Sequence, residues 1–159
     1  RMRRFVINDI GPFVPLSALE RIRDYLSTPQ RFGSLEALEA YLRRVHAPFG
    51  PLSDAEWRHL ALHSARATAS GAFALHYDPA IVQPMLGPLA DLDLWALWPG
   101  VVQRPVLVLR GESSDLLLPE TAARMAEHPS VRLATIPGCG HAPALMDAAQ
   151  IALVADFLS

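Results

Sequence analysis

Lysine is absent from this sequence, cysteine occurs once, and no long apolar run is present. All 14 basic residues are arginines, against 16 acidic residues, which gives a formal net charge of −2. With no run of like charges, the chain lacks the basic patches of proteins that bind nucleic acid or anionic membranes. No stretch reaches the roughly 18 uninterrupted apolar residues of a membrane-spanning helix. The composition therefore predicts a protein with no nucleic-acid and no membrane partner.

The lone cysteine, Cys139, excludes an intramolecular disulfide and a cysteine-based metal cluster. This favours a reducing compartment, and we predict a cytoplasmic location. With 51% hydrophobic and 19% charged residues, the 159-residue chain can build a buried core. A chain that begins at Arg1 and enters a strand at once is expected to lack its original N-terminus.

Two patterns of local structure divide the chain. Residues 4–9 (RFVIND), 106–109 (VLVL) and 131–136 (VRLATI) predict strands, the second of them fully buried. Three helices are predicted between these strands, separated by turns at prolines. Capping boxes at Ser17 and Ser53 predict helices at about 18–26 and 54–69. The apolar stripe that follows Ser34 predicts a helix at about 35–46. The turn prolines are Pro29, Pro48 and Pro51. Further helices are predicted over DLDLWALW (residues 91–98), 118–128 and 147–158.

Strand and helix alternate towards the C-terminus, which predicts right-handed crossovers and a parallel sheet covered by helices. The fold class is therefore α/β. We predict a core strand in residues 1–12, a helical insertion over 13–98, and core strands and helices over 99–159.

Two polar groups follow consecutive predicted strands. Asp115 stands in GESSDLLLP after the buried strand, and His141 stands in PGCGHAP after the next strand, 141 − 115 = 26 residues later. Catalytic groups of parallel α/β sheets gather at the carboxyl ends of the strands. Neighbouring strands lie about 4.8 Å apart, so the loops that follow them can bring two side chains within hydrogen-bond distance. We therefore predict that Asp115 orients His141 and stabilises its imidazolium form, with His141 acting as a general base and then a general acid.

These segments resemble the acid loop and the histidine loop of the α/β-hydrolase family, whose chain order is nucleophile, acid, histidine. The resemblance covers nearly the whole chain. Residues 4–12 resemble the strand after the nucleophile helix, 13–98 a helical cap, and the remainder the last two strands with their helices. It implies hydrolysis of a small apolar ester or related acyl compound, without metal or organic cofactor. A carbon–carbon bond hydrolase, a dehalogenase and an epoxide hydrolase stay open as alternatives.

The family's nucleophile elbow, G-x-S-x-G, occurs nowhere in the 159 residues. The resemblance therefore implies that the nucleophile and the oxyanion hole lie upstream, in a missing N-terminal half of the fold. The expected partners of this chain are that missing half and a small-molecule substrate. The chain by itself is predicted to be inactive. A catalytically inactive, hydrolase-like binding module is the competing interpretation.

Other residues have weaker patterns. Asp9, in NDIGP, follows the first strand, where some family members place their acid, but a turn role is favoured there. A turn role is also favoured for Glu112, and Cys139 is expected to fill space.

His59 and His63 have a zinc-like spacing but no third ligand, so we predict no metal site. Among the aromatic residues, Trp95 and Trp98 are the candidates for an apolar substrate pocket.

Overall fold

The computed structural model describes residues 3–28 and 30–159, so the predicted turn at Pro29 lies outside the described residues. The strands are β1 (Phe5–Asn8), β2 (Phe13–Val14), β3 (Arg31–Phe32), β4 (Ala65–Ala67), β5 (Phe73–Leu75), β6 (Leu92–Asp93), β7 (Val106–Gly111) and β8 (Val131–Ile136). The α-helices are α1 (Leu16–Leu26), α2 (Leu35–Val45), α3 (Asp54–Ser64), α4 (Trp98–Val101), α5 (Pro119–Ala126) and α6 (Ala148–Leu158). None of the helices within these ranges is both long and apolar enough to cross a membrane.

The core sheet is parallel and has the order β1-β7-β8. All six residues of the central strand β7 are buried, which confirms the predicted buried strand. Its side chains alternate between the two faces of the sheet. Val106 and Val108 pack in a cluster with Ala122 and Met125 of α5. Leu107 and Leu109 pack in the cluster that α6 joins, so the sheet has a helix on each face.

The chain divides into two compact units. The core unit consists of residues 1–18, 48–51 and 90–159, and the inserted unit consists of 19–47 and 52–89. Within the core unit, β2 pairs antiparallel with β6, so the segments that lead into and out of the insertion run side by side. The Leu94 amide also donates to the Pro12 carbonyl oxygen, at 2.6 Å.

The inserted unit combines helices with a small antiparallel sheet of order β3-β5-β4. Its buried core unites that sheet with α2 and α3 through the side chains of Phe32, Leu38, Tyr41, Leu42, Trp57 and Ala61. The insertion was predicted to be mainly helical, and the structure adds three strands of two or three residues each. Strands this short carry too few residues to show an alternating pattern.

The helix ends test the predicted caps. Ser34 caps α2, and Ser53 forms a complete capping box with Glu56, as predicted. The capping box at Ser17 is wrong, because α1 already begins at Leu16. The Leu16 amide donates instead to the Asp91 carboxylate, at 2.7 Å. An acceptor 75 residues away in sequence replaces the local cap.

The largest differences from the predicted helices occur at two places. Helix α3 ends at Ser64, and the chain continues as β4. The predicted helix over 91–98 contains strand β6 and a single 3-10 turn at Trp95–Leu97. Asp93 explains the second difference, because its backbone pairs with Phe13 while its carboxylate accepts the Trp95 amide at 2.9 Å.

Candidate active site

The site is built around a histidine and a carboxylate that lie far apart in sequence. His141 Nδ1 is 3.0 Å from Asp9 Oδ2, and it is also 3.0 Å from the backbone oxygen of Asp9. The Asp9 side chain is fully buried, whereas that of His141 is 26% exposed. A buried carboxylate on Nδ1 stabilises the tautomer with the proton on that nitrogen, which leaves Nε2 as an acceptor. The pair therefore has the geometry of a general base and the acid that orients it.

Asp9 lies one residue beyond the end of β1 and has a left-handed backbone, with φ of 56°. Its amide still donates to the Leu109 oxygen at 2.8 Å, which extends the β1–β7 ladder by one residue. Asp9 Oδ1 accepts the amide of Gly111 at 2.7 Å. Aspartate tolerates the left-handed region better than most residues, and this turn directs the carboxylate back over the end of β7. The backbone thus fixes the carboxylate between Gly111 and His141.

The histidine loop, residues 137–143, crosses the end of β7 to reach Asp9. The amide and the hydroxyl of Ser113 both donate to the Cys139 oxygen, at 2.9 and 3.1 Å. The Gly138 amide donates to Glu112 Oε2 at 3.0 Å. At the far end of the loop, Asn8 Nδ2 donates to the Pro143 oxygen at 3.0 Å. The loop is therefore fastened both to the turn after β7 and to β1.

Asp115 is the acid predicted from the sequence, and the structure corrects that prediction. The ring of His141 bonds to Asp9, while Asp115 is exposed in the turn after β7. The prediction assumed that loops on neighbouring strands meet directly. Instead, the histidine loop lies across the end of β7 and reaches the strand beyond it. Glu112 was predicted to have a role in the turn. Its carboxylate accepts a hydrogen bond from the Gly138 amide and so holds the histidine loop.

Cys139 is buried within the histidine loop, at 1% exposure. Its thiol donates to the Phe49 oxygen at 3.4 Å. Burial raises the pKa of this thiol above its ordinary value, which keeps the sulfur protonated and weakly nucleophilic. A Cβ at Gly50 would lie 2.6 Å from the sulfur, so the site around it is fully packed. Cys139 therefore fills space, as predicted from the sequence.

Comparison with known proteins identifies relatives that are hydrolases. The chain is 38% identical over 167 residues to a 3-hydroxybutyrate-oligomer hydrolase from Cupriavidus necator, which covers 99% of this chain and 57% of the relative. An α/β hydrolase structure from Novosphingobium aromaticivorans matches with 37% identity and a TM-score of 0.84, over 96% of this chain and 55% of that one. The structure of E-2-(acetamidomethylene)succinate hydrolase matches with 25% identity and a TM-score of 0.75, over 99% and 57%.

The chain has the fold of the C-terminal part of an α/β-hydrolase. No protein-family model matches it. The chain spans between half and three fifths of the length of the relatives named above. The resemblance inferred from the two loop motifs is confirmed, together with the α/β fold class.

Trp95 and Trp98 lie away from His141 in this α/β-hydrolase fold. Both pack against the cluster of Val106 and Met125, on the α5 face of the sheet. They line an open cavity of about 420 Å³, bounded by segments that precede β7 and β8. His141 and Asp9 follow the opposite, carboxyl ends of the strands. The structure therefore does not bring the predicted substrate-pocket residues to the Asp9–His141 pair. The Arg124 guanidinium carbon lies 3.8 Å from the centre of the Trp95 ring.

Sequence reasoning missed Asn8 and Gly111. Asn8 holds the histidine loop through Pro143, and Gly111 donates the amide that holds Asp9. A glycine at the end of a buried strand is a signal of close backbone approach, and this signal could have identified Gly111. In the part of the chain that the structure describes, no group of three His, Cys, Asp or Glu side chains could hold a metal ion.

We expect Gly111→Ala to displace the histidine loop of the α/β-hydrolase fold. A Cβ at this position would overlap the carbonyl oxygen of Gly140 and would lie 2.9 Å from the Cys139 oxygen. Since both obstacles are backbone atoms, we expect the substitution to cost about 1–3 kcal/mol of unfolding free energy, measured by urea denaturation of the complete protein that includes the N-terminal part of the fold. Gly33→Ala is the matched control, because a Cβ there meets nothing within 4 Å. Equal stability of the two variants would contradict the close packing of the loop.

Proposed function

We propose that this chain supplies the histidine and the acid of a nucleophile–His–Asp triad to a carboxylic ester hydrolase. The observation that carries the proposal is the 3.0 Å contact between Asp9 Oδ2 and His141 Nδ1 at the carboxyl ends of parallel strands. The assignment of the acid to Asp9 replaces the prediction of Asp115.

In the proposed reaction, His141 Nε2 accepts the proton of the nucleophile as it attacks the ester carbonyl carbon. Asp9 accepts the Nδ1 proton in a hydrogen bond and stabilises the imidazolium that forms. His141 then gives its proton to the departing alcohol oxygen as the acyl intermediate forms. It next takes a proton from the water molecule that hydrolyses this intermediate, and returns that proton to the nucleophile as the acid product departs. The partial exposure of His141 leaves its ring accessible for these proton transfers.

The nucleophile and the oxyanion-hole donors are proposed to come from the part of the fold that the relatives contain and this chain does not. No G-x-S-x-G elbow occurs in the sequence, and the chain corresponds to 57% of the Cupriavidus necator relative. Within residues 3–28 and 30–159, β1 pairs with β7 alone and keeps its other edge open. That edge is the proposed place for the strand that carries the nucleophile.

The proposed substrate is a short aliphatic ester. The similarity to a 3-hydroxybutyrate-oligomer hydrolase, at 38% identity, supports an ester of a short acid. Residues 13–98 are proposed to form a cap that selects among such esters, and the cytoplasm is the proposed location. No cofactor is required by a triad of this kind.

The proposal is tested with the complete protein, in which this chain is joined to the part of the fold that carries the nucleophile. We expect p-nitrophenyl butyrate to be hydrolysed with a kcat/KM at least about tenfold above that of p-nitrophenyl palmitate, because the proposed substrate is short. The same protein with His141→Ala provides the background rate for both esters. Turnover of butyrate at that background rate would overturn the ester hydrolase assignment, and a preference for palmitate would overturn the substrate class.

A further inference from the structure

The small sheet of the inserted unit carries two arginines on one face. Arg31 of β3 and Arg66 of β4 both pair with Ala74 of the central strand β5. Residues directly opposite one another on antiparallel strands share a face, with Cβ atoms about 5 Å apart. The two arginines therefore flank a single alanine methyl group, at about 10 Å from each other, twice the cross-strand spacing.

The opposite face of this sheet packs in the core of the inserted unit. Phe32 pairs with Phe73, and both pack in the cluster formed with α2 and α3. This packing fixes the sheet, and the turn between β4 and β5 is closed by the Thr68 amide, which donates to the Ala72 oxygen at 2.8 Å. The arginine face is thus presented by a fixed backbone.

Neither arginine has an acidic partner among the residues that the structure describes. The side chains of Arg31 and Arg66 are exposed and form no hydrogen bond or ion pair with any residue of 3–28 or 30–159. Two other arginines of the same unit behave differently. Arg43 bonds to Glu39 and Asp54 at 2.8 Å, and Arg58 bonds to Glu36 at 3.0 Å. The two guanidinium groups beside Ala74 therefore keep their donors available for a ligand.

An open cavity of about 550 Å³ lies at this face, within the range of small-molecule sites. Both arginines line it, and no Asp or Glu is among the described residues that do. The hydroxyls of Thr68 and Ser70, 3.0 Å apart, stand at one part of the wall. Apolar side chains, including Leu26, Leu75 and Pro79, form other parts. The site offers positive charge beside an apolar surface.

We infer that this cavity binds the carboxylate of a short aliphatic acid. A guanidinium group matches a carboxylate with two parallel hydrogen bonds, and two such groups around a small alanine leave room for the ligand head. The apolar wall fits a short hydrocarbon tail, which inorganic phosphate lacks. The inference concerns binding by the inserted unit and goes beyond the proposed hydrolysis, on which it does not depend.

Equilibrium dialysis of the 159-residue chain against radiolabelled butyrate tests the inference, since this measurement works in any state of association. We expect saturable binding in the parent chain. Arg31→Gln and Arg66→Gln should each weaken it at least about tenfold. Arg132→Gln removes the same charge from exposed Arg132 on β8 and should leave it unchanged. Ala74→Leu fills the space between the arginines without a change of charge and should also weaken binding about tenfold.

Competition identifies the ligand class. Unlabelled 3-hydroxybutyrate should displace butyrate, whereas the neutral isostere butyramide and inorganic phosphate should need at least about tenfold higher concentrations. Absence of saturable butyrate binding, or binding that survives both arginine substitutions, would overturn the site. Displacement by phosphate as efficient as that by 3-hydroxybutyrate would overturn the carboxylate assignment. Circular dichroism of each variant shows that the fold is retained, and Arg31→Lys with Arg66→Lys should keep part of the affinity by keeping the charge.

Discussion

Asp9→Asn is expected to lower kcat by about 10⁴-fold in the complete protein. The amide keeps the size of the carboxylate but cannot stabilise the imidazolium, and its NH₂ group favours the wrong tautomer of His141, which carries the proton on Nε2. The same substitution at Asp115 should leave kcat within about threefold of the parent, because Asp115 is exposed and His141 Nδ1 bonds to Asp9. Steady-state hydrolysis of p-nitrophenyl butyrate by the two variants measures the difference.

The two variants show which of the two aspartates acts as the acid, because both carry the same replacement of a carboxylate by an amide. A large loss at Asp115 and a small one at Asp9 would show that the acid follows β7 after all. Similar losses at both positions, with KM unchanged, would indicate a shared electrostatic role. Thermal unfolding of both variants controls for stability, since Asp9 also accepts the Gly111 amide.

The chain by itself is expected to show no catalysed ester hydrolysis. Without a nucleophile elbow or an oxyanion hole, His141 has no group to activate. We therefore expect residues 1–159 to hydrolyse p-nitrophenyl butyrate no faster than the same chain with His141→Ala. The open edge of β1 should also recruit other copies, so size-exclusion chromatography should show associated or poorly soluble material.

Addition of the part of the fold that carries the nucleophile is the decisive control. It should restore turnover that His141→Ala abolishes, and it should convert the associated material to a defined species. A monomeric 159-residue chain with turnover that depends on His141 would contradict the expectation. A serine of this chain, or Cys139, would then have to act as the nucleophile.

The core sheet was predictable because its strands carry strong local patterns. The run Val106–Leu109 is apolar at every position, as strands buried on both faces are, and residues 131–136 form β8 as predicted. Ser34 and Ser53 marked the starts of α2 and α3 through side-chain caps that require only local sequence. Such signals arise within a few residues and do not depend on the rest of the fold.

The acid was not predictable by the same reasoning, because its identity depends on how loops cross. Asp115 and Asp9 both follow parallel strands, so position along the strands does not separate them. The choice is made by the path of residues 137–143, which the bonds from Ser113 and Asn8 direct over the end of β7. The histidine therefore meets a carboxylate 132 residues away in sequence.

The pairing of β2 with β6 has a consequence for the way this architecture can vary. Phe13 pairs with Asp93 and Val14 with Leu92, so the segments that leave and re-enter the core unit lie side by side. Between them, residues 48–51 also belong to the core unit, where the Gly140 amide donates to the Pro48 oxygen at 2.6 Å. The stretches 19–47 and 52–89 therefore each begin and end at positions that the core unit fixes. Since the entropy of loop closure grows slowly with length, each stretch can change in length and sequence while residues 48–51 keep their place beside the histidine loop.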